Sequence, residues 1–333
     1  MHIAFVTNQL GLRGTEVVLA AYARYAQRVW GWTVTFVVRH ARDDRPVTPD
    51  TTPDSYEHYE SQFDVVYSGK DAATDAWLAR NVDVALVEIA GFPDEWLPTT
   101  VPVIAHCVFT AEHPLKCTLH TAVSESVASR KGVTVLPNVV EYTSPNGTLR
   151  AELGIPSDAL VFGRYGGWDT FDIPWVHEVV TRVASQNTGI YFVFMNTRPF
   201  CPRVPMMPNI IHVPATTCAQ RKSNFVATCD AMLHARHVGE TFGMAIAEFA
   251  MQRKPVFTYA EARDTEHLRL LGSDARVYRN AIHLRSLLES FPRGVKTGPT
   301  GYEHYTPENV MPTFKVTAKI AVSLGRPREP AQT

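Results

Sequence analysis

A chain of 333 residues, 45% hydrophobic and 20% charged, is long enough for two domains with separate cores. Its 32 Lys and Arg nearly cancel its 33 Asp and Glu, which excludes the one-signed global field of a nucleic-acid or anionic-membrane partner. The five cysteines (Cys107, Cys117, Cys201, Cys218, Cys229) form no CxxC pair, so neither a disulfide framework nor a structural zinc site is expected, and a cytoplasmic location suits them.

In chain order, short β-type runs alternate with stretches of helical period, the pattern of parallel sheets with crossover helices. HIAFVT (2–7) predicts a strand, EVVLAAYARYAQRVW (16–30) a helix and TVTFVV (33–38) the next strand. The polar, proline-rich stretch 42–60 predicts an exposed loop. DVVYS (64–68), helical AATDAWLARN (72–81), VALVEI (84–89), VPVIAH (101–106) and HTAVS (120–124) complete a first α/β series. Pro, Asn, Gly and Ser cluster over 138–156 and mark the boundary.

A second series then begins with strands LVFGRY (160–165), IYFVFM (190–195), IIHV (210–213), AMLHA (231–235) and PVFTYA (255–260). Helices are expected at 174–186, around 217–228, at 242–253 and at 281–291. The domains expected are 1–145 and 146–306, with a helix at 307–324 crossing back to pack on the first and a tail at 325–333. No basic leader with a cleavage site and no run of 18 apolar residues occurs, so no integral membrane segment is expected.

The chemistry is sought at the strand carboxyl ends, where open α/β sheets bind ligands. In HARHVGETFGMAIAEFAMQRKPV (234–256) two carboxylates, Glu240 and Glu248, bracket an otherwise apolar helix start. Thr241 is the expected N-cap. It leaves the amides of Phe242, Gly243 and Met244 open to a phosphate, and Gly243 permits close approach. Glu248 falls about 10 Å further along the axis, the span of a diphosphate with its ribose. A carboxylate in that setting needs partners: ribose hydroxyls, or a protein cation such as Arg253 or Arg221.

ETFGMAIAEFAMQRKPV resembles the E-x7-E signature of retaining GT-B glycosyltransferases, in particular glycosyltransferase family 4. Glu240, Phe242, Gly243, Glu248, Pro255 and Val256 match, while Thr241 and Lys254 replace glycines. TNQLGLRGTEVVL resembles the family's glycine-rich loop after the first strand, through Gly11, Gly14 and Glu16. PVIAHCVF places His106 where such enzymes hold a histidine near the transferred sugar, although by itself His106 fits a core histidine equally well. AVSESVAS and VLPNVV match the end of the first domain, and VFGRYGGWDTFDIPW places Arg164 at the diphosphate-binding arginine. The lysine that usually follows is absent, since the chain reads Trp168, Asp169, Thr170 there. Arg236 or Lys222 is left to supply the second cation.

The resemblance implies two Rossmann-like domains facing each other across a cleft, the first taking the acceptor and the second the donor. It implies a retaining transfer of a sugar from a nucleoside-diphosphate sugar to a hydroxyl of a glycan or small molecule. Glu240, Arg164 and His106 would serve catalysis. Gly11, Gly14, Arg236, Thr241, Phe242, Gly243, Met244 and Glu248 would bind the donor, with no metal and no cofactor. Asp43 and Asp44 read as a solvated cluster, and His234 and His237, three apart, lack a third zinc ligand. Two alternatives are a protein of this shape that binds nucleotide sugars without transfer, and a nucleotide-sugar epimerase.

Overall fold

The computed structural model describes residues 1–69, 71–128, 132–201 and 207–327. Two compact units divide the chain, Met1–Glu141 with His304–Thr333, and Tyr142–Glu303. The changes of unit therefore fall at Glu141/Tyr142 and Glu303/His304, against the expected 145/146 and 306/307. Of the expected tail, 328–333 lies outside the described residues.

The first unit contains β1 (His2–Thr7), α1 (Gly14–Trp30), β2 (Thr33–Val38), α2 (Pro53–Glu60), β3 (Asp64–Tyr67), α3 (Asp71–Asn81), β4 (Val84–Ile89), β5 (Val103–Cys107), β6 (Leu119–Ala122) and β7 (Thr134–Val135). Its strands form a parallel sheet in the order β3-β2-β1-β4-β5-β6-β7. The near-continuous apolar character of β1 and β4 follows, because a parallel sheet is covered on both faces. One face carries Ala4, Val6, Val37, Ala85, Val87, Val103 and Ala105 into a single core.

Where sequence suggests a loop, 42–60 contains a 3₁₀ turn at Arg42–Asp44 and the helix α2. The Thr52 hydroxyl accepts from the Ser55 amide, Pro53 opens the helix, and Tyr56 and Tyr59 are buried. A Thr-Pro start followed by tyrosines at i and i+3 is a helix signal that the surrounding prolines and acids mask.

The second unit contains β8 (Leu160–Tyr165), α4 (Pro174–Gln186), β9 (Ile190–Met195), β10 (Ile210–Val213), α5 (Ala219–Thr228), β11 (Ala231–Leu233), β12 (Gly239–Glu240), α6 (Met244–Met251), β13 (Val256–Tyr259), β14 (Asp264–Thr265), α7 (Glu266–Leu271), β15 (Ala275–Tyr278) and α8 (Ala281–Ser290). Its main sheet is parallel in the order β10-β9-β8-β11-β13-β15, and β12 pairs with β14 apart from it. Phe162, Phe192, Phe194, Val176, Val180, Val183 and Leu284 fill the core between this sheet and α4 and α8. The short β12, β14 and β15, and α7, have too few residues to show a period.

The last helix, α9 (Pro307–Leu324), belongs to the first unit. Its Val310, Met311, Phe314, Thr317, Ala318 and Ala321 are buried at helical spacing. Phe314 stands 4.8 Å from Tyr22 and 6.1 Å from Phe5, ring centre to ring centre, and touches Trp30 and Trp32. Among the described residues no helix is long and apolar enough to cross a membrane.

Candidate functional site

The chain leaves β11 at Leu233, runs through His234 and Arg236 to Glu240 in β12, and enters α6. Glycines stand before and after Glu240 where the backbone is left-handed and a side chain would crowd its neighbours. Gly239 has φ +82°, and a Cβ there would lie 2.1 Å from the Asp264 carbonyl oxygen. Gly243 has φ +88°, with the Tyr302 hydroxyl 3.2 Å and Glu240 Cβ 3.3 Å from where its own Cβ would be.

Gly243, not Thr241, is the N-cap of α6, and no side chain caps the helix. The left-handed backbone at Gly243 turns the chain into the helix two residues later than Thr241 would. The first helical bond runs from the Ala247 amide to the Gly243 carbonyl at 2.9 Å. The amides without an intrahelical acceptor are thus those of Met244, Ala245 and Ile246, rather than Phe242 to Met244. Phe242 is instead buried, its carbonyl accepting from the Tyr302 hydroxyl at 2.5 Å.

Glu240 is held at both oxygens. Oε1 faces His234 Nε2 at 3.2 Å, and Oε2 accepts from Arg236 Nη1 at 2.9 Å. Burial works to raise its pKa, but the His234 bond and the Arg236 charge outweigh it and hold the carboxyl at about 2. Glu240 is therefore ionised at any neutral pH. One donor on each oxygen leaves each with a lone pair for a further hydroxyl.

Glu248, on α6, pairs with Lys222 of α5 at 2.7 Å. Neither Arg253 nor Arg221 reaches it: Arg253 pairs with Glu303 and Arg221 with Glu152. Lys222 also lies 5.6 Å from the ring centre of Tyr165, at the end of β8. The Tyr165 hydroxyl is buried beside Glu248, and burial and the Glu248 carboxylate both push its ionisation well up. Both cations proposed to replace the missing lysine thus stand on the two glutamates, Arg236 on Glu240 and Lys222 on Glu248.

Arg164, on β8, is 3% exposed. Its Nη1 donates to the Asn196 carbonyl (3.3 Å) and the Thr197 hydroxyl, and its Nη2 to the Gly167 carbonyl (2.9 Å) and the Thr170 hydroxyl. The guanidinium ties the loop after β8 to the loop after β9.

In the first unit, the loop before α1 is stitched to the segment leading into α2. The Leu12 amide donates to the Asp50 carbonyl (2.8 Å), Arg13 Nε to Asp50 Oδ2 (2.8 Å), and the Tyr59 hydroxyl to the Gly11 carbonyl (3.1 Å). Gly14 opens α1, and the buried Glu16 accepts from Gln9 (3.1 Å) and Thr15 (2.7 Å). Burial raises the Glu16 pKa, and burial together with Glu16 raises that of Glu88 well above the usual range. His106, in β5 beside Glu88 of β4, is 0% exposed; Nδ1 meets Thr121 Oγ1 at 3.0 Å and Nε2 has no partner among the described residues.

Burial lowers the His106 pKa to about 4. The unfolded chain takes up this proton near pH 6.5 and the native state refuses it, so stability falls as pH drops from 6.5 to about 4 and the contribution levels off below. The expected loss from this residue is on the order of 3 kcal/mol. Denaturant midpoints at pH 7 and pH 4.5 check it: His106→Asn should show a clearly smaller drop than the parent protein.

Glu240, Thr241, Phe242, Gly243, Met244, Arg236, Glu248 and Arg164 all belong to the second unit, while Gly11, Gly14 and His106 belong to the first. The histidine His267 and the threonine Thr258, joined to His234 behind Glu240, carry no spacing signal in the sequence. Among the described residues no group of three or more His, Cys, Asp or Glu stands ready to hold a metal ion.

Two parallel α/β units, with the C-terminal helix returned to the first, have the fold of the GT-B glycosyltransferases. HepE of Anabaena, solved with UDP and glucose, matches with a TM-score of 0.67 at 14% identity, over 95% of this chain and 99% of that one. WaaG, a glycosyltransferase involved in lipopolysaccharide biosynthesis, matches with 0.61 at 12% identity, over 96% and 94%. AviGT4, a glycosyltransferase involved in avilamycin A biosynthesis, matches with 0.56 at 14% identity, over 97% and 98%. No family model and no curated protein matches the chain by sequence.

Proposed function

We propose that the protein is a retaining glycosyltransferase that moves a sugar from a nucleoside-diphosphate sugar to an acceptor hydroxyl. The observation that carries this reading is the junction at Gly243. There an ionised glutamate held at both oxygens is followed directly by a helix whose first amides are open, in a fold shared with HepE, which has been solved with UDP-glucose.

Departure of the diphosphate from the sugar C1 builds negative charge, and fixed donors aimed at that charge lower the barrier. The amides of Met244 to Ile246 and the α6 dipole supply such donors. Lys222, held on Glu248, serves as the second cation, and Arg164 holds the glycine loop after β8 in shape around the leaving group. Glu240 accepts hydroxyls of the donor sugar, and Glu248 those of the ribose. The protein's own donors meet the leaving group, so the step is proposed without a metal. The first unit takes the acceptor, its loop at Gly11 and Gly14 bounding that side and approaching the diphosphate, while the fully buried His106 is left in the core.

The test is turnover of UDP-, GDP- and ADP-sugars with simple glycosides as acceptors, the anomeric configuration of the product being read by NMR. A product of retained configuration supports the proposal, and an inverted one contradicts its retaining part. The engagement of Arg164 with its own loops favours one rival, a protein that binds nucleotide sugars without transfer; saturable binding with no product under any acceptor would select it.

Glu248→Ala is expected to weaken nucleoside-diphosphate binding about tenfold or more through loss of the ribose bonds. Calorimetric titration with the nucleotide checks this, and an unchanged dissociation constant would reject the role given to Glu248.

A further inference from the structure

Behind Glu240 the second unit buries a line of polar side chains from three elements. His234, just after β11, faces Glu240 Oε1 through Nε2 at 3.2 Å and Thr258 Oγ1 of β13 through Nδ1 at 3.0 Å. Thr258 Oγ1 in turn lies 3.0 Å from Nε2 of His267 on α7. Thr258 and His267 are fully buried and His234 nearly so. The His267 Nδ1 at the far end has no partner among the described residues.

With His234 neutral, the carboxylate sets the direction of every bond in this line. An ionised Glu240 only accepts, so His234 Nε2 must carry the hydrogen. A neutral His234 then has a bare Nδ1, which only the Thr258 hydroxyl can satisfy by donating. That hydroxyl oxygen must itself accept, and the remaining neighbour is His267 Nε2–H. Burial holds His267 down at about 3, so it stays neutral, and with its one hydrogen on Nε2 its Nδ1 carries none. We propose that His267, Thr258 and His234 form a one-way hydrogen-bond relay whose function is to position the Glu240 carboxylate for the donor sugar.

The relay explains why a buried histidine pair, ring centres 5.2 Å apart, is kept where apolar side chains would pack. Arg236 neutralises Glu240 from the other side, on a half-buried side chain that meets Oε2 at 2.9 Å. The relay adds a donor whose orientation is locked from behind, so that one Oε1 lone pair is fixed in space and the other is left for substrate. His234, Thr258 and His267 are positioning residues. This role rests on the transferase reading, whereas the relay itself does not.

Two measurements separate the claims. Long-range ¹H–¹⁵N spectra of ¹⁵N-histidine-labelled protein at pH 7.5 should show His234 and His267 both as neutral Nε2–H tautomers. An Nδ1–H tautomer or an imidazolium at His234 would overturn the relay whether or not the protein transfers sugar. In a transfer assay, Thr258→Val should lower kcat/KM for the donor about tenfold, the scale of one charge-assisted hydrogen bond, and Thr258→Ser should restore it. UDP binding should stay unchanged in both. Equal activity of the valine and serine variants, each folded by circular dichroism, would remove the positioning role.

Discussion

Glu240→Gln is expected to lower transfer at least a hundredfold while nucleotide affinity stays within a few-fold of the parent. The side chain keeps its size, so the pairing of β12 with β14 around Gly239 is undisturbed. What changes is charge and polarity. A carboxylate that accepts from His234 and Arg236 becomes an amide with a single acceptor, so one of those donors meets an N–H instead. The hydroxyls of the donor sugar lose an ionised acceptor at the same time. Steady-state rates with the best donor, set against calorimetric nucleotide binding, check both halves. Near-normal turnover would show that Glu240 is a structural ion-pair partner of Arg236 and nothing more.

Arg164→Ala is expected to destabilise the second unit by roughly 3 kcal/mol, because it removes the charged donors that bridge two loops through the Asn196 and Gly167 carbonyls and the Thr197 and Thr170 hydroxyls. A guanidinium that served only to hold diphosphate would sit open to the ligand, and its removal would cost activity with little change in stability. Arg164 is instead 3% exposed and bridges the Gly167–Thr170 and Asn196–Thr197 loops. Denaturant unfolding of Arg164→Ala beside Arg164→Lys separates the two. Lysine brings the charge but not the fork of donors, so it should recover little of the stability. Equal unfolding midpoints for both variants and the parent would remove the loop-bridging role.

The alternation of apolar strands and amphipathic helices made both parallel sheets legible, since each buried strand must read as an apolar run whatever its partners are. The glutamates were legible for a related reason: Glu248 stands alone in an apolar helix and so demands a partner. What the sequence did not reveal is how partners are chosen. Lys222 reaches Glu248 because α5 lies beside α6, whereas Arg221 and Arg253, no less suitable by charge, turn to Glu152 and Glu303. Side-chain direction on a packed helix is a tertiary property that spacing cannot report.

The misplaced start of α6 has a different origin. Thr241 has a capping side chain, and only the crowding of Glu240 and Tyr302 against Gly243 shows why a glycine in the left-handed region takes the cap instead. The relay behind Glu240 was illegible for a simpler reason: its three members come from separate elements, and no local pattern links them. The helix α2 is the opposite case. Its Thr52-Pro53 start was present in the sequence, hidden by polar composition that resembles a loop.

The central claim is that the second unit binds a nucleoside-diphosphate sugar through the open start of α6 and the two glutamates. Isothermal titration of the protein with UDP-glucose, GDP-mannose and ADP-glucose tests it directly. The account predicts saturable binding of at least one donor, and weaker binding of that donor by Glu248→Ala. No binding of any of the three, by protein that unfolds cooperatively, would contradict it.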